Sequence, residues 1–245
     1  MLLLVAFCAV IGVAWAYLVR DAMSMSELAS MAAMMETRPR GMLDFVHLLI
    51  MWAVMMAAMM LPSAVPMVMV YAAMARRASP SARGAWWIAA FVVGYIIVWS
   101  AYSAFAALFQ VWIERLALLS PTMVSASPVL GAILLAVAGV FQLSPAKEAC
   151  LRRCRGPVQF LAENWRPGAA GAIQMGLLHG AYCVGCCWAL MGLLFVLGVM
   201  NLLWVAALAA FVMLEKVAFM GSTLGRRLTG WALIAAAAAM LAARF

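Results

Sequence analysis

Four residues in one apolar stretch have the types and spacing to hold a soft metal ion. The stretch reads Gly176-Leu-Leu-His179-Gly180-Ala-Tyr-Cys183-Val-Gly185-Cys186-Cys187-Trp188. On an α-helix each residue advances roughly 100°. Relative to His179, Cys183 then falls at about 40°, Cys186 at about −20° and Cys187 at about 80°. One face therefore presents three thiols and an imidazole over two turns. Such donors suit Cu(I) and Zn(II), and polar groups inside an apolar span are usually functional. The same residues allow a redox chemistry. Cys183-x-x-Cys186 has the spacing of a dithiol, and adjacent Cys186 and Cys187 could close a vicinal disulfide. That dithiol motif ordinarily opens a helix in a soluble domain, which places redox second.

A second set of soft donors lies upstream. The chain has 22 methionines. Met23, Met25, Met31, Met34, Met35 and Met42 fall in segment 20–44, and Met51, Met55, Met56, Met59, Met60, Met67, Met69 and Met74 fall in the apolar run that follows. Thioether sulfur is a neutral ligand for Cu(I) and is of no use to hard ions. Residues four apart share a helix face, so His47, Met51, Met55 and Met59 form one ladder and Met56 and Met60 a shorter one. Methionine also fills irregular apolar gaps, which accounts for some of those in the run. A polar segment in water has no such packing need.

Three further residues are candidate relays. Cys150 and Cys154 stand in Lys147-Glu148-Ala-Cys150-Leu-Arg-Arg-Cys154-Arg155. If that segment is helical they share a face, among cations that favour thiolate. Glu215 lies inside an apolar run, where a carboxylate pairs with a buried partner or lines a polar cavity. The adjacent Lys216 is expected to snorkel to the interface. Cys8 reads as simple packing.

The elements that must position these groups follow from composition. Of 245 residues 69% are hydrophobic and 10% charged, too few charges to coat a water-soluble surface. Soluble enzymes, nucleic-acid binders and disordered chains are set aside, and the net charge of +8 is assigned to loops at a membrane face. Six cysteines, clustered as they are, do not make a secreted disulfide framework. The expected fold is an all-α polytopic transmembrane bundle, 1–245, with seven spans: 2–19, 45–74, 85–110, 128–143, 169–199, 202–220 and 230–243. The first could instead be a signal peptide, though it lacks a basic n-region. Pro62 and Pro66 should kink or break the second. Arg76, Arg77 and Arg83, then Lys147, Arg152, Arg153, Arg155 and Arg166, then Arg226 and Arg227 occupy alternate loops. By the positive-inside rule those loops are cytoplasmic, the N-terminus inside and the C-terminus outside. Segment 20–44 becomes an external Met-rich loop and 144–168 a cytoplasmic basic loop with a cysteine pair. At 1.5 Å per residue the two soft-donor faces overlap in depth. Gly176-x-x-x-Gly180 and Ala181-x-x-x-Gly185 would let the two spans approach closely.

Several runs carry a resemblance. They are Trp52-Ala-Val-Met-Met-Ala-Ala-Met-Met-Leu-Pro62, Phe141-Gln-Leu-Ser-Pro-Ala-Lys147 with Cys150-Leu-Arg-Arg-Cys154-Arg155, His179 to Trp188 with Met191, Gly198-Val-Met-Asn201, and Glu215-Lys216. With these the chain resembles a bacterial family of predicted metal-binding integral membrane proteins, a domain-of-unknown-function class whose members are often labelled copper chaperones. The resemblance implies copper handling and no settled mechanism. The Met-x-x-x-Met spacing is also similar to that of eukaryotic copper importers, shorter chains that trimerise, by analogy only.

The expectation is an inner-membrane protein that binds Cu(I) at His179, Cys183, Cys186 and Cys187. The site would be fed by His47, Met51, Met55, Met59, Met56 and Met60, with Cys150, Cys154 and Glu215 as relays. Its partners would be the lipid bilayer and a periplasmic copper donor or a cuproenzyme, with no nucleic acid; oligomers are compatible with it. A membrane thiol-disulfide or copper-dependent oxidoreductase is the alternative, and a purely structural subunit a third class.

Overall fold

The computed structural model describes residues 2–32, 42–79, 82–116, 127–199, 201–217 and 222–243. Among these the regular structure is all helix: α1 (Leu2–Ala32), α2 (Met42–Ala78), α3 (Ala82–Arg115), α4 (Pro128–Leu143), α5 (Pro145–Arg155), α6 (Pro157–Asn164), α7 (Gly168–Gly192), α8 (Leu194–Leu197), α9 (Leu202–Val217) and α10 (Thr223–Ala242). Among the described residues, each of the seven expected spans falls mainly on helix. Four helical segments, in α1, α2, α3 and α7–α8, are long and apolar enough to cross a membrane, and a fifth is added if the bent pair α4–α5 is counted as one. Helices α4 and α9 have 16 residues each, short of the ~20 that a typical bilayer core requires.

Three expectations change. Segment 20–44 is not a loop along most of its length, because α1 continues to Ala32 and α2 starts at Met42. Ala22, Met23, Leu28 and Ala29 are good helix formers and carry the helix on. Met23 and Met42 are exposed. The side chains of Met25 and Met31, and all of Met34 and Met35, lie outside the described residues. Helix α2 is also unbroken through Pro62 and Pro66. Near the prolines, Ser63 Oγ donates to the Met60 carbonyl at 2.8 Å and Tyr95 Oη donates to the same oxygen at 3.2 Å. Finally, segment 144–168 is two short helices, α5 and α6, rather than a loop.

Local chemistry explains the bend that positions α5. Pro145 cannot continue the α4 ladder, and Ser144 ends α4 and caps α5, its Oγ accepting from Lys147 N at 3.1 Å. The two helices meet at 67°, which lays α5 beside α7. The tightest packing is between α3 and α7. A Cβ on Gly176 would come within 2.1 Å of the Phe91 carbonyl oxygen, and one on Gly94 within 2.4 Å of the Ile173 carbonyl oxygen. The glycine spacing thus serves α3, not α2 as expected. Helix α10 packs on α4 by the same device, at Gly139 and Gly230. Helix α2 is pinned to α3 by Trp52 Nε1, which donates to Gln110 Oε1 at 2.7 Å.

Candidate metal centre

Helix α7 presents His179, Cys183, Cys186 and Cys187 on one face, and all four are buried. The Cys186 and Cys187 thiols each donate to the Cys183 carbonyl at 3.0 Å. That bond pulls both sulfurs back along the helix toward Cys183. All six cysteines are free thiols.

Three other helices complete the surroundings. From α2, Met60 Sδ lies 4.0 Å from Cys187 Sγ. Met51, Met55, Met56, Met59 and Met60 are all buried in the same apolar cluster as the three thiols, so both methionine ladders lie inside the fold. His47 at their head does not; its side chain is more than half exposed and faces Asp21 Oδ1 on α1 at 3.4 Å. From α5 comes Cys154, buried in the same apolar cluster as the α7 thiols. The bend at Ser144 therefore brings Cys154 into the α7 thiol cluster. Cys150, one turn earlier, is half-buried, with its sulfur against Gly185. From α9 comes Lys216, whose Nζ donates to Cys183 Sγ at 3.0 Å and to Ser63 Oγ at 2.8 Å. Lys216 thus turns inward instead of snorkelling, because polar acceptors lie within reach inside the fold.

Glu215 points the other way. Its carboxylate pairs with Lys147 Nζ at 2.8 Å and accepts from Gln142 Nε2, and both Lys147 and Gln142 are buried. In an apolar interior neither charge is tolerated alone, and the pair with its amide meets both needs. The group joins α4, α5 and α9.

His179 is one turn from Cys183 and sits in an aromatic box. Its ring lies 5.7 Å from that of Tyr95, 6.2 Å from Phe91 and 5.6 Å from Phe160, centroid to centroid. Neither ring nitrogen has a hydrogen-bond partner among the described residues. A buried polar group left so costs about 1–3 kcal/mol and calls for an explanation such as a bound ion or water.

Sequence reasoning missed Tyr95, Ser63 and Lys216 as neighbours of the thiols. Tyr95 Oη lies 3.1 Å from Cys183 Sγ. A tyrosine and a serine in apolar runs carry no spacing signal, and their place beside Cys183 arises only when α2, α3 and α7 pack.

The donor set is chemically right for a soft monovalent ion: thiols, a thioether and an orphaned imidazole, with no carboxylate among them. Among the described residues no three His, Cys, Asp or Glu side chains are arranged as a finished metal cage. The lone pairs of Cys183 are instead engaged by Lys216.

Against known proteins, the family model described as PpoB2, copper chaperone, matches residues 49–240. No curated protein and no solved structure matches the chain. The matched stretch takes in the α2 methionines and the thiols of α5 and α7.

Proposed function

Since the chain belongs to the PpoB2 copper chaperone family, we propose that it is an integral membrane protein that binds Cu(I) in its interior and passes it on. The ion is cargo. Its seat is the thiol cluster of Cys183, Cys186, Cys187 and Cys154, with Met60 and His179 at its edge. The observation that carries the reading is the convergence of soft donors from three helices, α2, α5 and α7, in one buried place. Packing needs alone do not gather four thiols and a thioether. Cu(I) accepts thiolate and thioether together, and a low-polarity site excludes the hard ions that compete in water.

The remaining assignments follow from the same chemistry. The Met51, Met55 and Met59 ladder, with Met56 and Met60, leads from the His47 end of α2 toward the cluster. Neutral thioethers hold copper weakly enough to hand it along. The span count of seven, read from the apolar runs, and the inner membrane of a bacterium belong to this proposal, as does the placing of Arg76, Arg77, Arg83 and the α5–α6 arginines on the cytoplasmic side, which rests on charge asymmetry. The ion would be received from outside and delivered to a carrier or a cuproenzyme.

The test is copper loading of the purified full-length chain under anaerobic conditions, read by elemental analysis. Stoichiometric copper in the wild type, lost in a folded Cys183→Ala/Cys187→Ala variant, is expected. A wild type that stays essentially copper-free after loading defeats the reading.

A further inference from the structure

Three cations are buried among the described residues: Lys147, Lys216 and Arg226. Lys147 pairs with Glu215 and Arg226 with Glu148, both at 2.8–2.9 Å. Lys216 makes no ion pair with a carboxylate among the described residues. Its ammonium is directed at the thiol cluster. It donates to Cys183 Sγ and to Ser63 Oγ, and its other electrostatic neighbours are Cys154, Cys186 and Tyr95. A lysine ammonium is a compact unit charge on a flexible four-carbon stem, with three protons to donate and nothing to accept with. It therefore takes up a sulfur lone pair that a metal would need. Two cations cannot share that sulfur in a low-dielectric interior without strong repulsion.

We propose that Lys216 is a tethered cation that exchanges with copper at Cys183. This rests on the reading that the thiol cluster is the copper seat. When no ion is present, the ammonium holds the cluster. When Cu(I) arrives, Cys183, held as the thiolate partner of the ammonium, forms the S–Cu bond, the N–H···S bond breaks, and the ammonium moves off with its proton. No electrons are transferred, and one positive charge replaces another at the sulfur. Ser63 Oγ, beside Pro62 on α2, is the second acceptor of the ammonium and keeps it near the cluster. From there it returns to Cys183 and favours release. A carrier needs a site that binds tightly and still lets go, and an internal competitor supplies the second property.

The experiment follows copper transfer from the full-length chain, reconstituted in phospholipid nanodiscs and loaded with Cu(I), to an excess of a coloured soluble Cu(I) chelator. Lys216→Leu removes the competing charge without adding a metal donor, and Lys216→Arg keeps the charge. Release from Lys216→Leu should be about tenfold slower or more, with Lys216→Arg close to wild type. Release from Lys216→Leu at the wild-type rate or faster overturns the proposal while leaving the copper seat intact. A wild type that binds no copper overturns both. If Lys216→Leu does not fold, a structure of the copper-loaded wild type decides. Nζ beyond hydrogen-bond reach of Cys183 Sγ supports the exchange, and a retained contact beside bound copper overturns it.

Discussion

Cys150 and Cys154 lie one helical turn apart on α5, but Cys154 is buried within the apolar cluster of the thiols and Cys150 only half-buried against it. Cys150 stays half-buried against the backbone of α7 at Gly185. The two thiols should therefore differ sharply in their effect on copper. Cys154→Ala is expected to weaken Cu(I) binding about tenfold or more, equivalent to about 1.4 kcal/mol, whereas Cys150→Ala leaves it close to wild type. Competition against a soluble Cu(I) chelator measures both. Equal losses would mean that the pair acts as a separate site, as the expected relay role requires.

At the scale of elements, α7 is placed by glycine rather than by apolar bulk. Gly176 lets its backbone lie against that of α3, and a Cβ there would meet the Phe91 carbonyl oxygen at 2.1 Å. Backbone cannot yield as a flexible side chain can, so Gly176→Ala should destabilise by about 1–3 kcal/mol, the range of overpacked sites. Gly192, at the end of the same helix, has open space around it. Gly192→Ala should be neutral or stabilising by up to about 1 kcal/mol, because glycine is a poor helix former. Thermal unfolding of the two variants in detergent makes the comparison. The bend between α4 and α5 has the opposite origin, since it is imposed locally by Ser144 and Pro145. Arg155 Nε then donates to the Lys216 carbonyl at 3.1 Å, which ties α5 to the end of α9 that carries the tethered cation.

For the whole molecule, the orientation we propose rests on the distribution of arginine. The α2–α3 connection with Arg76, Arg77 and Arg83, and the α5–α6 segment with its arginines, are expected on the cytoplasmic face, leaving the end of α10 outside. A C-terminal alkaline phosphatase fusion should be active and a C-terminal fluorescent-protein fusion dark. The reverse pair of results places the methionine ladder's entrance on the cytoplasmic side and turns the path around.

The all-helical architecture and the long apolar helices were legible in the sequence, because both depend on local properties. Composition excluded a soluble surface, and the 3.6-residue period alone put His179, Cys183, Cys186 and Cys187 on one face, where the structure finds them buried. The end of the fourth span at 143 was legible, and the bend into a further helix at Ser144 and Pro145 was not. Which helices meet is not a local property. Gly176 and Gly180 marked a close approach, and only packing chose α3 as the partner. Likewise Lys216 read as a snorkelling cation, since the stem length allowed it. The tertiary structure supplied Cys183 and Ser63 from two other helices, and those acceptors turned the ammonium inward. Donor chemistry is carried by each residue, whereas the contact between donors and their competitor exists only once α2, α5, α7 and α9 are assembled.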